Sequence, residues 1–369
     1  MSVRIVEITN PKEKNIFIRL PYRLHRSHPG WIPPLRRMER NFINPRKNSH
    51  MSHTDTLCLV SYTDGLPSGR IMGLIKEVEE NRQARFCSFE SINDQQTASS
   101  LLSAVESWAG QRGIAKLIGP IGFTNQDPQG LIIEGFEERP ALNTIHNFEY
   151  VPSLLEKAGY TKEVDYLTYK IPIPAKAPDL YYRLAPRVLQ RNRVTLLEFT
   201  RKNQARRYLP KMFRLMNEAY KNLYGFVPLG DGEIGRRSAT YAQIMTPEFF
   251  KILLDQQGEA VAFIFGIRDI TEGIRAAGGR LFPLGFLKIR IKQSRTRRLD
   301  LLLGAVKEQY QGRGLDVMMA LAMLKSAQSS GIEYADSHHE AESNTLVQAE
   351  MKRMGGVVYK RHRIFQKAL

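Results

Sequence analysis

The residues best suited to chemistry form a short glycine loop, Gln311-Gly312-Arg313-Gly314, which precedes a long apolar segment. Glycines let the backbone turn tightly and bring successive N–H groups toward a ligand. The start of a following helix would add unpaired donors and the positive end of its dipole. Such a cradle suits a pyrophosphate, and Arg313 could add a direct phosphate contact. A Gly-x-Gly pair alone is weak evidence, because most such pairs are ordinary turns.

A second group of chemically competent side chains follows the short stretch 333–337. Its members are His338, His339, Glu340 and Glu342. Imidazole and carboxylate groups can accept a proton from a reacting amine, so the group supplies candidates for a general base. Structural roles stay open beside this one. Glu342 would also serve as a carboxylate at the start of a helix, and the histidines would also serve as structural or exposed residues.

Neither metal nor disulfide chemistry is indicated. The His338-His339 pair has no Cys-x-x-Cys partner, so we expect no metal site. Cys58 and Cys87 each lie inside an apolar, strand-like run and are interpreted as buried thiols of a reducing compartment. The chain shows neither a secretory signal nor an uncharged apolar run of about 18 residues, so a cytoplasmic protein is expected.

Periodicity predicts the elements around the glycine loop. Residues 249–254 and 260–265 are predicted to form a hairpin, and residues 299–303 a strand that leads into the loop. The apolar helix after the loop is predicted to end at Gly331, which suits a left-handed cap. The segment 288–298 holds six basic residues in eleven, which fits either a charged edge strand or a surface that faces an anion.

The first half repeats this order of elements. A helix that ends at Gly113 precedes a strand at 115–120, and a second helix ends at Gly159, as one ends at Gly355 in the second half. The interval between the two helix ends is 22 residues longer in the first half, which places extra chain at 125–146. A tandem duplication of one α/β unit explains the parallel better than chance similarity does.

The proline-rich stretch 171–178 is the predicted linker, so the expected domains are 1–172 and 173–369. The formal net charge of +17 is unevenly divided, with +2 in the first 170 residues and +15 in the rest. A basic half attracts an anionic partner, such as CoA phosphates, nucleic acid or lipid headgroups. A solvated basic surface is the plain alternative.

The glycine loop and its surroundings resemble motif A of the GNAT superfamily of acyl-CoA N-acyltransferases. That motif is Gln/Arg-x-x-Gly-x-Gly/Ala, usually with a valine five positions earlier and often with a tyrosine just before it. The matching residues are Val306, Tyr310, Gln311 and Gly314. Asn344 lies eleven residues before Gly355, which is the spacing of the residues that bracket motif B. A subgroup of bacterial tandem GNAT proteins is similar at 29–35, 44–48, 119–120, 134–136 and 359–369, so the resemblance covers nearly the whole chain.

The resemblance implies a mixed α/β (α+β) fold of two tandem GNAT-like domains, each with a mostly antiparallel central sheet flanked by helices. It implies an N-acyltransferase that takes acetyl-CoA or a longer acyl-CoA as co-substrate and passes the acyl group to a small-molecule or lipid amine. The implied CoA-binding residues are Val306, Gln311, Gly312, Arg313, Gly314 and Asn344. The candidate catalytic residues are Glu342, Glu340 and His338. In this family a backbone N–H near the position of Val306 polarises the thioester carbonyl.

Three positions depart from the family pattern. The last glycine or alanine of motif A is Asp316, whose carboxylate would either repel pyrophosphate or lie harmlessly in the first helical turn. The motif B tyrosine that often protonates the leaving thiolate falls at Met351. In the first half the equivalent of motif A lies near 93–98 and lacks glycine, so 1–172 is interpreted as a degenerate domain that no longer binds CoA.

The acceptor stays open at this stage. The subgroup resembles proteins linked to N-acylation of long-chain sphingoid bases, and the basic second half would suit peripheral contact with an anionic inner membrane face. The extra segment 125–146 would either wall an acceptor cleft or only cover apolar surface.

Two other function classes compete with this interpretation. A Fem-like aminoacyl-tRNA-dependent transferase also pairs two GNAT-like domains, but it needs no pyrophosphate cradle. A non-enzymatic nucleic-acid-binding protein would need basic residues interleaved with aromatic ones, which the sequence lacks, so no specific nucleic-acid partner is expected. The sequence does not indicate the oligomeric state.

Overall fold

The computed structural model describes residues 2–76, 83–177 and 179–369. The strands are β1 (Val3–Glu7), β2 (Thr54–Thr63), β3 (Leu66–Lys76), β4 (Ala84–Ser91), β5 (Lys116–Gly119), β6 (Leu131–Glu134), β7 (Thr161–Pro172), β8 (Thr195–Glu198), β9 (Phe250–Leu254), β10 (Ala260–Arg268), β11 (Arg298–Val306), β12 (Tyr334–Asp336), β13 (Glu340–Ala341) and β14 (Val357–Ala368). The helices are α1 (Pro11–Leu24), α2 (Arg36–Phe42), α3 (Gln95–Gly110), α4 (Tyr150–Lys157), α5 (Asp179–Asn192), α6 (Lys202–Ala205), α7 (Leu209–Ala219), α8 (Asp231–Ile244), α9 (Thr271–Ala276), α10 (Gly285–Arg295), α11 (Leu315–Ser329) and α12 (Thr345–Arg353).

One continuous sheet runs through both halves. Its order is β1-β2-β3-β4-β5-β14-β7-β12-β11-β10-β9-β8, with β6 added to β14 and β13 added to β7. Within the described ranges the parallel pairs are β4–β5 and β11–β12, and the other pairs are antiparallel. The predicted mixed α/β class, with a mostly antiparallel sheet and flanking helices, is confirmed.

The two long strands at the centre of the sheet cross between the halves. β7 pairs with β12 and β13 of the second half, and β14 pairs with β5 and β6 of the first half. β7 and β14 also pair with each other, from Val357 opposite Lys170 to Gln366 opposite Thr161. The last strand of each half therefore pairs with strands of the other half. The proposed boundary between 172 and 173 falls at the end of β7 and remains a proposal.

Helices bury their apolar faces on this sheet in corresponding places. In the first half α3 contributes Leu101, Leu102 and Val105 to the core, at the helical spacing of one face. In the second half α11 follows the glycine loop and is buried along most of its length, with eight buried residues. The helix ends at Gly113, Gly159, Gly331 and Gly355 all have positive φ, as the predicted left-handed caps require.

The edge-strand interpretation of 288–298 was wrong, because most of this segment is the helix α10. Basic and apolar residues alternate along it, which mimics a strand. However, the residues turned toward the protein are Gly285, Ile289 and Gln293, which recur every fourth position. Within the parts of the chain that the structure covers, no helix combines the length and apolar character that a bilayer crossing needs.

Candidate functional site

A gap opens in the sheet where its two parallel strands in the second half separate. β11 pairs with β12 over three residues only, from Arg298 opposite Tyr334 to Asp300 opposite Asp336. Beyond Asp300, β11 continues to Val306, whereas the other strand is replaced by a bulge and by β13, which pairs with β7 instead. We call the space between 301–306 and 337–341 the strand gap. It leads toward the glycine loop, which follows β11 after four residues, 307–310.

Backbone N–H and carbonyl groups of β11 face the strand gap, and some of them accept or donate hydrogen bonds there. Lys307 donates its N–H to Val261 on β10, so Val306, one residue earlier, presents its N–H and carbonyl to the opposite edge. Gln311 Nε2 donates to the Val306 carbonyl oxygen at 3.3 Å. The side chain of Gln311 therefore lies against the end of β11, and the Val306 N–H points where a carbonyl could accept from it. The CoA contacts predicted for Val306 and Gln311 stay predictions.

Tyr220, which follows α7, closes part of the same edge. Its hydroxyl donates to the Gly304 carbonyl oxygen at 2.9 Å and accepts the Gly304 N–H at 3.3 Å. Burial raises the pKa of Tyr220, and the nearby Glu340 carboxylate raises it further against the opposing effect of the Gly304 hydrogen bond. The phenol therefore keeps its proton at neutral pH. Sequence reasoning missed Tyr220, because 84 residues separate it from Gly304.

The glycine loop has the backbone conformation that its glycines predict. Gly312 has φ +70° and Gly314 has φ +84°, both in the left-handed region. A Cβ atom on Gly314 would lie 2.9 Å from Val188 Cγ2, whereas one on Gly312 would have no heavy atom within 4 Å. Gly314 is the N-cap of α11 and has no side chain to accept the N–H groups of the first turn. Those donors remain open to an anion.

The side chains around the loop leave this cradle accessible. The Arg313 guanidinium lies 5.5 Å over the Tyr310 ring, and its backbone carbonyl accepts from Asn192 of α5 at 3.3 Å. Asp316 stands in the first turn of α11, where the helix dipole favours a carboxylate. The backbone of Arg313 is thus fixed at the start of α11, and its guanidinium supplies a positive charge beside the glycine loop.

The corresponding helix start in the first half is closed. Asp94 is the N-cap of α3, and its Oδ2 accepts from the Thr97 N–H at 2.8 Å and from the Thr97 hydroxyl at 2.6 Å. These hydrogen bonds from Thr97 lower the pKa of Asp94. A carboxylate therefore occupies the position that a phosphate would take at the start of α3. This geometry supports the interpretation of a first half that does not bind CoA.

A bulge after β12 positions the candidate base Glu340. Ser337 donates its N–H to the Tyr169 carbonyl and accepts the Tyr169 N–H on its hydroxyl at 2.9 Å. His338 follows with φ +61°, an unusual conformation for a residue other than glycine. The chain then returns to regular pairing with Glu340 opposite Leu167. After the bulge the chain still pairs with β7 but no longer pairs with β11.

Glu340 is a carboxylate without a compensating partner. Within the described residues, no ion pair or hydrogen bond to its side chain is formed, and burial raises its pKa to about 8. Its charge acts on Tyr169 of β7, whose pKa is raised first by burial and then by Glu340, and on Tyr220 across the strand gap. Such a group exchanges protons near neutral pH, as a general base must.

Glu342 and His338 are engaged in other contacts. Glu342 accepts from Lys162 Nζ at 2.6 Å and from the Asp165 N–H at 3.1 Å. His338 donates from Nε2 to the Leu142 carbonyl oxygen at 2.9 Å, and burial lowers its pKa. Leu142 belongs to the extra segment 125–146, which thereby touches the site. The catalytic roles predicted for both residues stay predictions. Their contacts favour a structural role, in which they fix the chain on either side of β13.

Asn344 lies at the start of α12, and Met351 lies within that helix. Asn344 Oδ1 accepts from the Val347 N–H at 3.4 Å, which makes Asn344 the N-cap of α12. Its predicted contact with CoA stays a prediction. Met351 packs against the core cluster that includes Tyr169 and Leu299. The thioether has no proton to exchange, so a leaving thiolate would need another donor than Met351.

A network of buried charged side chains lies where β11 and β12 begin to separate, at the start of the strand gap. Arg298 donates from Nε to Asp300 Oδ1 at 2.6 Å and from Nη2 to Asp336 Oδ2 at 3.1 Å. Lys360 of β14 donates to the same Asp336 oxygen at 2.8 Å. Burial raises the pKa of Asp300 to about 7, whereas at Asp336 burial is outweighed by Lys360 and Arg298, which hold its pKa well below the usual range. The network ties β11, β12 and the exchanged β14 together.

Known proteins are similar to this chain over its whole length. A bacterial ceramide synthase from Caulobacter vibrioides is 26% identical over 380 residues, which cover 100% of this chain and 98% of that protein. Protein YghO from Escherichia coli is 27% identical over 373 residues, which cover 98% and 94%. No protein-family model matches the chain.

A solved structure has a similar overall fold. It is a tandem GNAT protein from the clavulanic acid biosynthesis pathway, with a TM-score of 0.55, 10% sequence identity, and coverage of 100% of this chain and 98% of that one. The split parallel strands, the glycine loop and this likeness confirm the resemblance seen in the sequence. The chain therefore has a tandem GNAT fold.

Proposed function

We propose that the protein is an acyl-CoA-dependent N-acyltransferase whose acceptor is a long-chain amino lipid. The observation that carries the proposal is the strand gap. It has open helix N–H groups at one end, the Val306 N–H turned toward it along one side, and the half-buried Glu340 carboxylate on the other side. These are the groups that an amine and a thioester need when they react.

The glycine loop would hold the pyrophosphate of CoA. The N–H groups at the start of α11 point toward that position, and Arg313 adds a positive charge. An extended pantetheine arm would then run along the free edge of β11, because this edge lacks a strand partner beyond Asp300. The Val306 N–H would donate to the thioester carbonyl and stabilise the negative charge that develops on its oxygen.

Glu340 and Tyr220 would move the protons. The amine nitrogen attacks the carbonyl carbon, the new C–N bond forms, and the C–S bond breaks. Glu340 accepts the proton that the amine loses, and Tyr220 donates its hydroxyl proton to the leaving sulfur. The proton on Glu340 then restores Tyr220, so the net transfer is from the amine to the thiol. The electrostatic influence of Glu340 on Tyr220 supports this pairing.

The nature of the acceptor is supported by the comparison with known proteins. The Caulobacter relative is named a bacterial ceramide synthase, and a ceramide is an N-acylated long-chain base. That name supports a long-chain base as acceptor and a fatty acyl-CoA as donor. The open cradle at Gly312 and Gly314 supports CoA over charged tRNA as the acyl source.

The purified full-length chain tests the proposal directly. It is mixed with palmitoyl-CoA or acetyl-CoA and with sphinganine or a short alkylamine in detergent micelles, and thiol release and amide formation are followed together. We expect one amide per thiol, with sphinganine preferred over the short amine. Thiol release without amide, or no turnover with any pair, would contradict the proposal.

A further inference from the structure

The loop before α10 and the helix itself expose large apolar side chains. Five of the fourteen exposed large hydrophobic residues in the described chain fall within ten positions. Their exposed fractions are 76% for Phe282, 60% for Leu284, 49% for Phe286, 47% for Leu287 and 42% for Ile291. A cluster of this kind is unusual on a surface that faces only water. We call α10 together with residues 282–284 the α10 surface.

The exposed apolar residues of α10 form a stripe that points away from the protein. The side turned inward contains Gly285, Ile289 and Gln293, and the Gly273 backbone packs against Ile289. At about 100° per residue, Leu287 and Ile291 lie on the opposite side of the helix. The apolar stripe is therefore on the outer side of α10, where its side chains do not pack against the core of the protein.

Basic residues flank this stripe on both sides. Arg290 lies on one flank, and Lys288, Lys292 and Arg295 lie on the other. Between residues 271 and 297 the chain has seven basic residues and one acidic residue, Glu272. An apolar outer face flanked by cations is typical of amphipathic helices that lie in the interface of a lipid bilayer.

Neighbouring elements extend the positive surface. The charge of Arg290 acts on Lys202 of α6, and the charge of Arg280 acts on Arg36 of the first half. Both pairs are of like charge, so each would be stabilised by an anionic partner. Both halves of the protein therefore contribute to a single basic region around the apolar stripe.

We propose that the α10 surface docks on an anionic lipid bilayer, with the apolar stripe inserted among the lipids and the basic flanks against the headgroups. This inference rests in part on the proposed lipid acceptor, which such docking would supply. α10 ends just before β11 begins, and the glycine loop follows the other end of that strand. Nine residues of strand span roughly 26 Å. The CoA cradle would thus be held away from the anionic surface, on the aqueous side.

Vesicle sedimentation of the full-length chain tests the docking. The probes are vesicles of phosphatidylcholine alone and vesicles in which roughly a third of the lipid is anionic phosphatidylglycerol. We expect binding to the anionic vesicles that weakens with added salt, and binding at least tenfold weaker in Leu287→Ser/Ile291→Ser and in Arg290→Glu/Arg295→Glu. The matched control is Leu66→Ser/Leu180→Ser, which alters two exposed leucines elsewhere and should bind as the unchanged protein does.

Three results would overturn the docking proposal. The first is unchanged vesicle binding in both α10 variants, and the second is no vesicle binding by the unchanged protein. The third is a dimer in sedimentation analysis that Leu287→Ser/Ile291→Ser disrupts, because the surface would then bind a second copy of the chain. Acyl transfer in detergent micelles is measured on the same proteins and needs no docking. Its loss in every protein, with vesicle binding intact, would refute the proposed function and leave the docking supported.

Discussion

Glu340 offers the sharpest test of the proposed chemistry. Glu340→Gln keeps the size of the side chain but removes its ability to accept a proton. Burial disfavours the charged carboxylate and raises its pKa to about 8, so the group becomes an effective base only as the pH rises through that value. From this value, roughly a tenth of the carboxylate is ionised at pH 7 and roughly nine tenths at pH 9. The kcat at saturating amine should therefore rise roughly tenfold between these pH values.

The assay is thiol release from palmitoyl-CoA at saturating sphinganine, measured from pH 6 to pH 10. Glu340→Gln should lower kcat by roughly 10²-fold, the low end for the loss of a general base, and should abolish the rise centred near pH 8. Glu342→Gln is the matched control, because Glu342 is held by Lys162 and should leave the position of the rise unchanged. A Glu340→Gln enzyme that retains the rise, or a Glu342→Gln enzyme that loses it, would refute the assignment of the base.

Three further outcomes follow from the contacts around the site. Tyr220→Phe should lower kcat while leaving the Kd for CoA unchanged, because it removes only a proton donor; a changed Kd in calorimetry would show a binding role instead. Asp94→Ala should lower the free energy of unfolding by about 1 kcal/mol, the usual cost of a lost N-cap, without altering CoA affinity; weaker CoA binding would place a CoA site in the first half. Lys360→Met should cost roughly 3 kcal/mol in urea unfolding, because it leaves Asp336 with one cation fewer in a buried site; an unchanged midpoint would show that Arg298 alone suffices.

The glycine loop could be predicted because its information is local. Left-handed φ values demand glycine, and the helix after the loop has its own apolar pattern, so Gly312, Gly314 and α11 lie where the sequence places them. The hairpin of β9 and β10 was predicted for the same reason. In 288–298 the local pattern was misleading, because its alternation of charge concealed an inward face that repeats every four residues.

The features that depend on contacts between distant residues could not be predicted. The exchange of β7 and β14 is a choice between strand partners almost 200 residues apart in sequence, and the polar and charged residues of both strands give no local signal for either choice. Arg298, Asp300 and Lys360 gave no sign of burial, since charged residues usually lie at the surface. From the sequence, Glu342 is the preferred candidate base, because it lies two residues before Asn344. Its contacts with Lys162 and the Asp165 N–H, and the raised pKa of Glu340, move the proposal to Glu340.

The central claim is that an acyl-CoA binds at the glycine loop of the second half, and titration calorimetry with palmitoyl-CoA measures this most directly. We predict one bound ligand per chain and a Kd that rises roughly tenfold to hundredfold in Gly312→Glu, because a carboxylate about 5 Å from a phosphate costs on the order of 1–3 kcal/mol. Gly65 also has a positive φ, +80° against +70° for Gly312, and a Cβ there would likewise meet no heavy atom within 4 Å, so Gly65→Glu controls for backbone strain and should bind normally. Binding that Gly312→Glu leaves intact, or two ligands per chain, would contradict the account.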